Sequence, residues 1–65
     1  MENTKMKEAR CEKKLSQEAL AKLIGVSRQT INMIERGEFN PSIMLCIKIC
    51  KALDRTLDQL FWEVE

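Results

Sequence analysis

The chain has 65 residues, of which 45% are hydrophobic, 32% charged and 5% aromatic, with a formal net charge of +1. A chain of that size buries only about 60% of the surface its unfolded form exposes, which leaves room for one domain and none for an enzyme cleft beside a separate binding module. One Pro, two Gly and no alternating runs of β-branched residues predict a compact, mostly helical globule rather than a sheet core or a disordered chain.

The opening run MENTKMKEARCEKK is charged throughout and lacks the apolar centre of a signal peptide. No apolar run approaches the roughly 20 residues of a membrane span, so the expectation is a cytoplasmic protein with no membrane partner. A reducing compartment keeps Cys11, Cys46 and Cys50 as thiols, and three cannot all pair within one chain. With no His and no closely spaced cysteine pair, neither a metal site nor a cofactor is expected.

A first helix is expected to start after Asn3 or Thr4 and to run to about Lys14, with Met6, Ala9 and Arg10 on one face. Ser16 is a fitting N-cap for a second, in which Ala19, Leu20, Leu23 and Ile24 share a face opposite Glu18 and Lys22. Gly25 ends it with the left-handed conformation that a sharp turn requires. Val26 packs into the turn and Ser27 caps a third helix, Arg28 to Arg36. So short a connection makes the two helices cross steeply, as in a helix-turn-helix motif spanning residues 17–36.

The third helix divides cleanly. Thr30, Ile31, Ile34 and Glu35 fall on one side, and Arg28, Gln29, Asn32, Met33 and Arg36 on the other. An exposed face of Arg, Gln and Asn carries groups suited to bidentate hydrogen bonding with base edges. After Gly37 and a loop to Pro41, Ser42 caps a fourth helix reaching about Leu53. There Ile43, Cys46, Ile47, Cys50 and Leu53 mark the inner face, Leu45, Ile49 and Ala52 widen it, and Met44, Lys48 and Lys51 stay outside. Cysteines four apart on a helix are badly oriented for a disulfide and read as buried, inert thiols, whereas Cys11 is expected to be exposed. Thr56 and Gln59 form a capping box for a short fifth helix from Leu57 to about Phe61. The tail to Glu65 fits either a last helical turn or a short strand.

Charge is distributed unevenly. Residues 1–36 hold eight basic side chains (Lys5, Lys7, Arg10, Lys13, Lys14, Lys22, Arg28, Arg36) against Glu2, Glu8, Glu12, Glu18 and Glu35, a balance of +3. Residues 54–65 hold Arg55 against Asp54, Asp58, Glu63 and Glu65, a balance of −3. A polyanion should meet the first half and avoid the C-terminal end.

The segment LSQEALAKLIGVSRQTINMIERGEFNPS, with the apolar helix and LDQLF after it, resembles the lambda-repressor-like helix-turn-helix family, also called the Cro or Xre family, over roughly residues 5 to 61. Ala21 where two helices approach, Gly25 in the turn, and Ile31 and Ile34 at packing positions carry the resemblance. It implies an all-α, five-helix, lambda-repressor-like fold, the short C-terminal strand remaining open, and a partner in double-stranded DNA. By matching position, Gln29 would read a base, an amide being suited to adenine N6 and N7, and Arg28 either guanine O6 and N7 or a phosphate. Asn32 would be a further base reader and Met33 an apolar contact to a thymine methyl. Gln17, Ser27, Thr30 and Asn40 match backbone-contact positions, with Lys14 and Arg36 added on charge and location. Arg10 and Glu35 match a partly buried ion pair between the first and third helices. Lys14 departs from the family in standing where a helix-ending Gly is common, and Cys46 and Cys50 in replacing smaller core residues.

The expected function is a transcriptional repressor, binding a pseudo-palindromic operator as a homodimer with helix 28–36 in the major groove. Leu57, Leu60, Phe61, Trp62 and Val64 are the candidates for the dimer contact, Phe61 and Trp62 serving either that contact or closure of the monomer core. The alternatives are a DNA-binding antitoxin, against which the short tail argues, and a protein-interaction module that binds no DNA. An enzyme is not expected, since the chain has no His, no carboxylate pair in an evident cleft and no phosphate-cradling glycine loop, and no small-molecule ligand is evident.

Overall fold

The computed structural model describes residues 2–62, in which five helices follow one another: α1 (Thr4–Glu12), α2 (Gln17–Ile24), α3 (Arg28–Glu35), α4 (Ile43–Leu53) and α5 (Leu57–Leu60). The architecture is all-α and of the expected five-helix kind, with no strand among the described residues. Val64, and with it any strand in the tail, lies outside them.

The first four helices share one local grammar. Each begins on a side-chain cap: Asn3 Oδ1 accepts from the Met6 N–H at 3.0 Å, and Ser16, Ser27 and Ser42 Oγ accept from Ala19, Thr30 and Leu45 at 3.0, 3.1 and 3.2 Å. Such a cap satisfies one of the N–H groups that a helix start leaves without a partner, and its loss costs about 1 kcal/mol. The C-terminal closures are as regular. The left-handed residues are Lys14 (φ 58°), Gly25 (79°), Gly37 (77°) and Asp54 (58°). The residue after each returns its N–H to the carbonyl five positions back: Leu15 to Arg10, Val26 to Ala21, Glu38 to Met33 and Arg55 to Cys50, all within 2.8–3.1 Å. Because Lys14 takes this left-handed position, α1 stops at Glu12, two residues before the expected end. A lysine there does the work of glycine in spite of its Cβ. α5 starts as the capping box predicts, with Gln59 Oε1 accepting from the Thr56 N–H at 2.8 Å.

α2 packs against α3 and α4, α1 against α3 and α5, and α5 closes on α4. Met6, Leu20, Ile31, Ile49 and Leu53 are fully buried where these helices meet, and Ala9, Ala21, Ile34, Cys50 and Leu60 surround them. Ala21 lies between the two motif helices as expected, its small side chain permitting their close approach.

Three expected core assignments are corrected. Leu23 is 63% exposed, because the buried arc of α2 is centred between Leu20 and Ala21 and Leu23 points about 110° away from that centre at 100° per residue. Ile43 is 62% exposed: as the first residue of α4, its side chain leans back past the helix end, beyond the core. Ile49, expected only to widen the inner face of α4, is fully buried.

Candidate nucleic-acid interface

α3 is held so that one face is buried and the other open. Ile31 and Ile34 anchor it in the core, and Ser27 fixes its first turn twice, accepting from the Thr30 N–H and sharing a 2.9 Å hydrogen bond with the Thr30 hydroxyl. Arg28 and Gln29, on that first turn, are exposed, while Asn32 and Met33 one turn further are half-buried. The four expected base readers therefore fall on one helix, with the first two protruding and the second two lying deeper.

Behind this face lies the ion pair. Arg10 Nε donates to Glu35 Oε2 at 2.8 Å, its Nη2 to Oε1 at 3.3 Å and its Nη1 to the Leu15 carbonyl at 2.8 Å. Both residues are buried, at 8% and 7% exposure. The hydrogen bond that Arg10 donates to Glu35, reinforced by the carboxylate's charge, raises the Arg10 pKa above its ordinary value despite the opposing effect of burial. This bond ties α1 to the end of α3, and the Asn3 N–H adds a second tie at 2.8 Å to the Glu35 carbonyl. Asn3 also donates through Nδ2 to the Leu60 carbonyl at 2.9 Å, joining the start of α1 to the ends of α3 and α5.

Gln17, at the start of α2, is placed differently from an outward-reaching backbone contact. Its Nε2 donates to Glu35 Oε1 at 3.0 Å and to Asn32 Oδ1 at 3.2 Å. The side chain thus joins the buried ion pair to the open face of α3. Thr4, Lys7, Gln17, Asn32, Glu35 and Arg36 all line a hollow of about 140 Å³, which puts Lys7 beside the interface, a residue the sequence reading did not single out. Arg36 is mostly exposed and pairs with Glu38 at 3.3 Å, an ion pair of the kind worth under about 1 kcal/mol and easily exchanged for another anion. Lys14 and Asn40 are exposed and lie outside that hollow.

Of the groups considered for a dimer contact, Leu60 is only 3% exposed and belongs to the monomer core, which corrects its assignment to the dimer surface. Phe61 is partly buried against the same core, leaving Leu57 (38%) and Trp62 (65%) exposed; Val64 lies outside the described residues. Cys46 and Cys50 are buried, and burial pushes both thiols above their ordinary pKa, aided at Cys50 by Cys46 and Asp58, while Cys11 is exposed. Among the described residues no group of three or more metal-ligating side chains is assembled. No helix among them is long and apolar enough to cross a membrane.

Comparison with known proteins places this geometry. The helix-turn-helix family matches residues 6–60, nearly the whole of α1 through α5. The chain belongs to the helix-turn-helix family. It is of the Cro/Xre type, a family of DNA-binding transcription regulators. The uncharacterized HTH-type transcriptional regulator YgzD of Bacillus subtilis (strain 168) is 45% identical over 58 residues, covering 89% of this chain and 88% of that one. MJ0272 of Methanocaldococcus jannaschii, named in the same way, is 46% identical over 57 residues, covering 88% and 86%. Among solved structures, the restriction-modification controller protein C.AhdI from Aeromonas hydrophila superposes with a TM-score of 0.83 at 39% identity, over 91% of this chain and 86% of its own. An HTH_3 family transcriptional regulator from Vibrio cholerae matches with a TM-score of 0.78 at 36% identity, over 91% of this chain and 33% of its own.

Proposed function

We propose that residues 1–65 act as a single helix-turn-helix domain that represses transcription by binding a pseudo-palindromic operator as a homodimer, with α3 in the major groove. The observation that carries this reading is the face of α3, where Arg28 and Gln29 stand exposed on a helix pinned from behind by the Arg10–Glu35 pair. The similarity to a restriction-modification controller protein over most of both chains supports a regulatory role for the same fold. Gln29 reads a base, Arg28 a base or a phosphate, and Met33 offers an apolar contact. Ser27, Thr30, Asn40, Lys14 and Arg36 hold the domain on the backbone, together with the N–H groups at the start of α2 beside Gln17.

One recognition helix reads only a few base pairs, so useful specificity needs two, set about 34 Å apart. The exposed Leu57 and Trp62, with the outer edge of Phe61, supply the apolar surface for pairing two copies. Selection of bound sequences from random duplex DNA tests the reading. The expected result is a two-fold-related pair of half-sites one helical turn apart, bound by a species that light scattering reports as a dimer. Failure to enrich any sequence would leave a protein-interaction module as the better explanation of the fold.

A further inference from the structure

Lys7 is a cation to which the chain supplies no partner of its own. The residues three and four positions from it are Asn3, Thr4, Arg10 and Cys11, none of them acidic, whereas Lys5 has Glu8 three positions on. Arg10 is a like charge on the same side of α1, and its guanidinium is committed to Glu35. Among the described residues no carboxylate lies within ion-pair distance of the Lys7 ammonium. Lys7 borders the hollow of about 140 Å³, and Arg36, just past the end of α3, borders it too. The acids on its wall are Glu35 and Glu2. The Glu35 carboxylate accepts from Arg10 and Gln17 and is 7% exposed, so its charge is already answered, and Glu2 is exposed near the start of the chain. Arg36 pairs with Glu38, but the two side chains are 60% and 52% exposed, and such a pair exchanges readily for another anion. Two cations against Glu2 leave the wall with a balance of +1.

The hollow adjoins Asn32 on the open face of α3. A helix with its side chains is about 10–12 Å across and the major groove about 12 Å wide. A helix laid there fills the groove, and whatever flanks it meets the sugar–phosphate strands along the groove edges. α1 packs against α3, which sets Lys7 on that flank. We propose that the hollow seats one DNA backbone phosphate, held by Lys7 and Arg36 together, so that α1 joins the interface from outside the helix-turn-helix motif. The inference rests on the proposal that α3 enters the major groove. It adds Lys7 to the backbone contacts and gives Arg36 a partner in holding the same phosphate.

The test is duplex affinity of the full chain over a range of salt concentrations, on a selected duplex and on one of scrambled sequence. The parent is compared with Lys7→Gln, Arg36→Gln, the double variant and Lys5→Gln. Lys7→Gln should weaken binding to both duplexes by the same factor and flatten the salt dependence, since a phosphate contact carries no sequence information. Either cation alone partly neutralises a shared phosphate. The double variant should therefore flatten the log–log slope by about 0.9 per bound chain, the value for one phosphate, rather than about 1.8. Lys5 is exposed, lies about 200° round α1 from Lys7 and does not border the hollow, so Lys5→Gln should keep the parental affinity and slope. Replacing single phosphates by uncharged methylphosphonates then locates the seat. At one position in each half-site the parent should lose affinity, and there Lys7→Gln should lose nothing further. A parental slope for Lys7→Gln, an equal loss from Lys5→Gln, or a change near 1.8 for the double variant would each overturn the shared seat while leaving DNA binding intact. Saturable binding of inorganic phosphate that Lys7→Gln abolishes without changing duplex affinity would make a free anion the occupant and overturn it as well. A parent that binds neither duplex would overturn the major-groove reading itself.

Discussion

Arg10→Met probes the support behind α3. The substitution removes three donors, two to Glu35 and one to the Leu15 carbonyl, and leaves a carboxylate that is 7% exposed with Gln17 as its remaining side-chain partner. Breaking one half of a buried pair in this way costs about 3–5 kcal/mol. At roughly 0.05–0.15 kcal/mol per residue, a domain of this length has about 3–10 kcal/mol in total, so the variant stands at the edge of folding. Urea denaturation followed by helical circular dichroism is the assay, because the chain's one tryptophan, Trp62, is 65% exposed and a poor reporter. With an m-value of about 1 kcal/mol/M, the midpoint should fall by about 3 M or more. Protein concentration is held fixed, since any dimer stabilises the fold by mass action. The double variant Arg10→Met/Glu35→Leu should recover most of the loss, because the cost lies in the orphaned charge rather than in the missing attraction. A loss under about 1 kcal/mol for Arg10→Met, the scale of an exposed pair, would refute the view that this pair is buried support for α3.

Other outcomes follow from the same geometry. Lys14→Gly relieves a left-handed lysine and should stabilise the domain by about 1 kcal/mol, read as a rise of some 4–8 °C in melting temperature; Asp54→Gly should gain less, since Asp tolerates that conformation better. Leu20→Ala should cost about 2–5 kcal/mol and Leu23→Ala less than about 0.5, a contrast that tests the corrected face of α2 by denaturant titration. Cys46 and Cys50 have folded pKa values raised above the ordinary 9.0, so the folded chain keeps its protons while the unfolded chain loses them; stability is full below that pH and should decline as pH rises above it. Cys46→Ala/Cys50→Ala should flatten that alkaline decline, and an unchanged slope would show the thiols play no part in it. Trp62→Ala should shift light scattering toward the monomer; a variant as dimeric as the parent would remove Trp62 from the contact.

Much of this molecule was legible because its signals are local. Four N-caps, the Gly25 turn and the apolar period of α3 are written within a few residues of where they act, and the structure places helices accordingly. The errors arose where a helical wheel cannot know its neighbours. Leu23 and Ile43 fit their apolar stripes, but one lies at the margin of the arc that α3 and α4 cover and the other beyond the end of the core. Leu60 was assigned to a second copy although α5 is so short that its one inward residue is needed at home. On α3, the exposure of Arg28 and Gln29 could be read from the side of the helix on which they fall. The inward turn of Gln17 could not, because it depends on Glu35 and Asn32, 18 and 15 residues away on another helix. Nor could the double role of Asn3, whose partners are Glu35 and Leu60.

The most direct measurement is the affinity of Gln29→Ala beside the parent, on a selected duplex and on a duplex of scrambled sequence at the same salt. If the first turn of α3 reads bases, the variant loses about 1–3 kcal/mol on the selected duplex and nothing measurable on the scrambled one. An equal loss on both would contradict base recognition by α3 and make Gln29 a contact to the backbone.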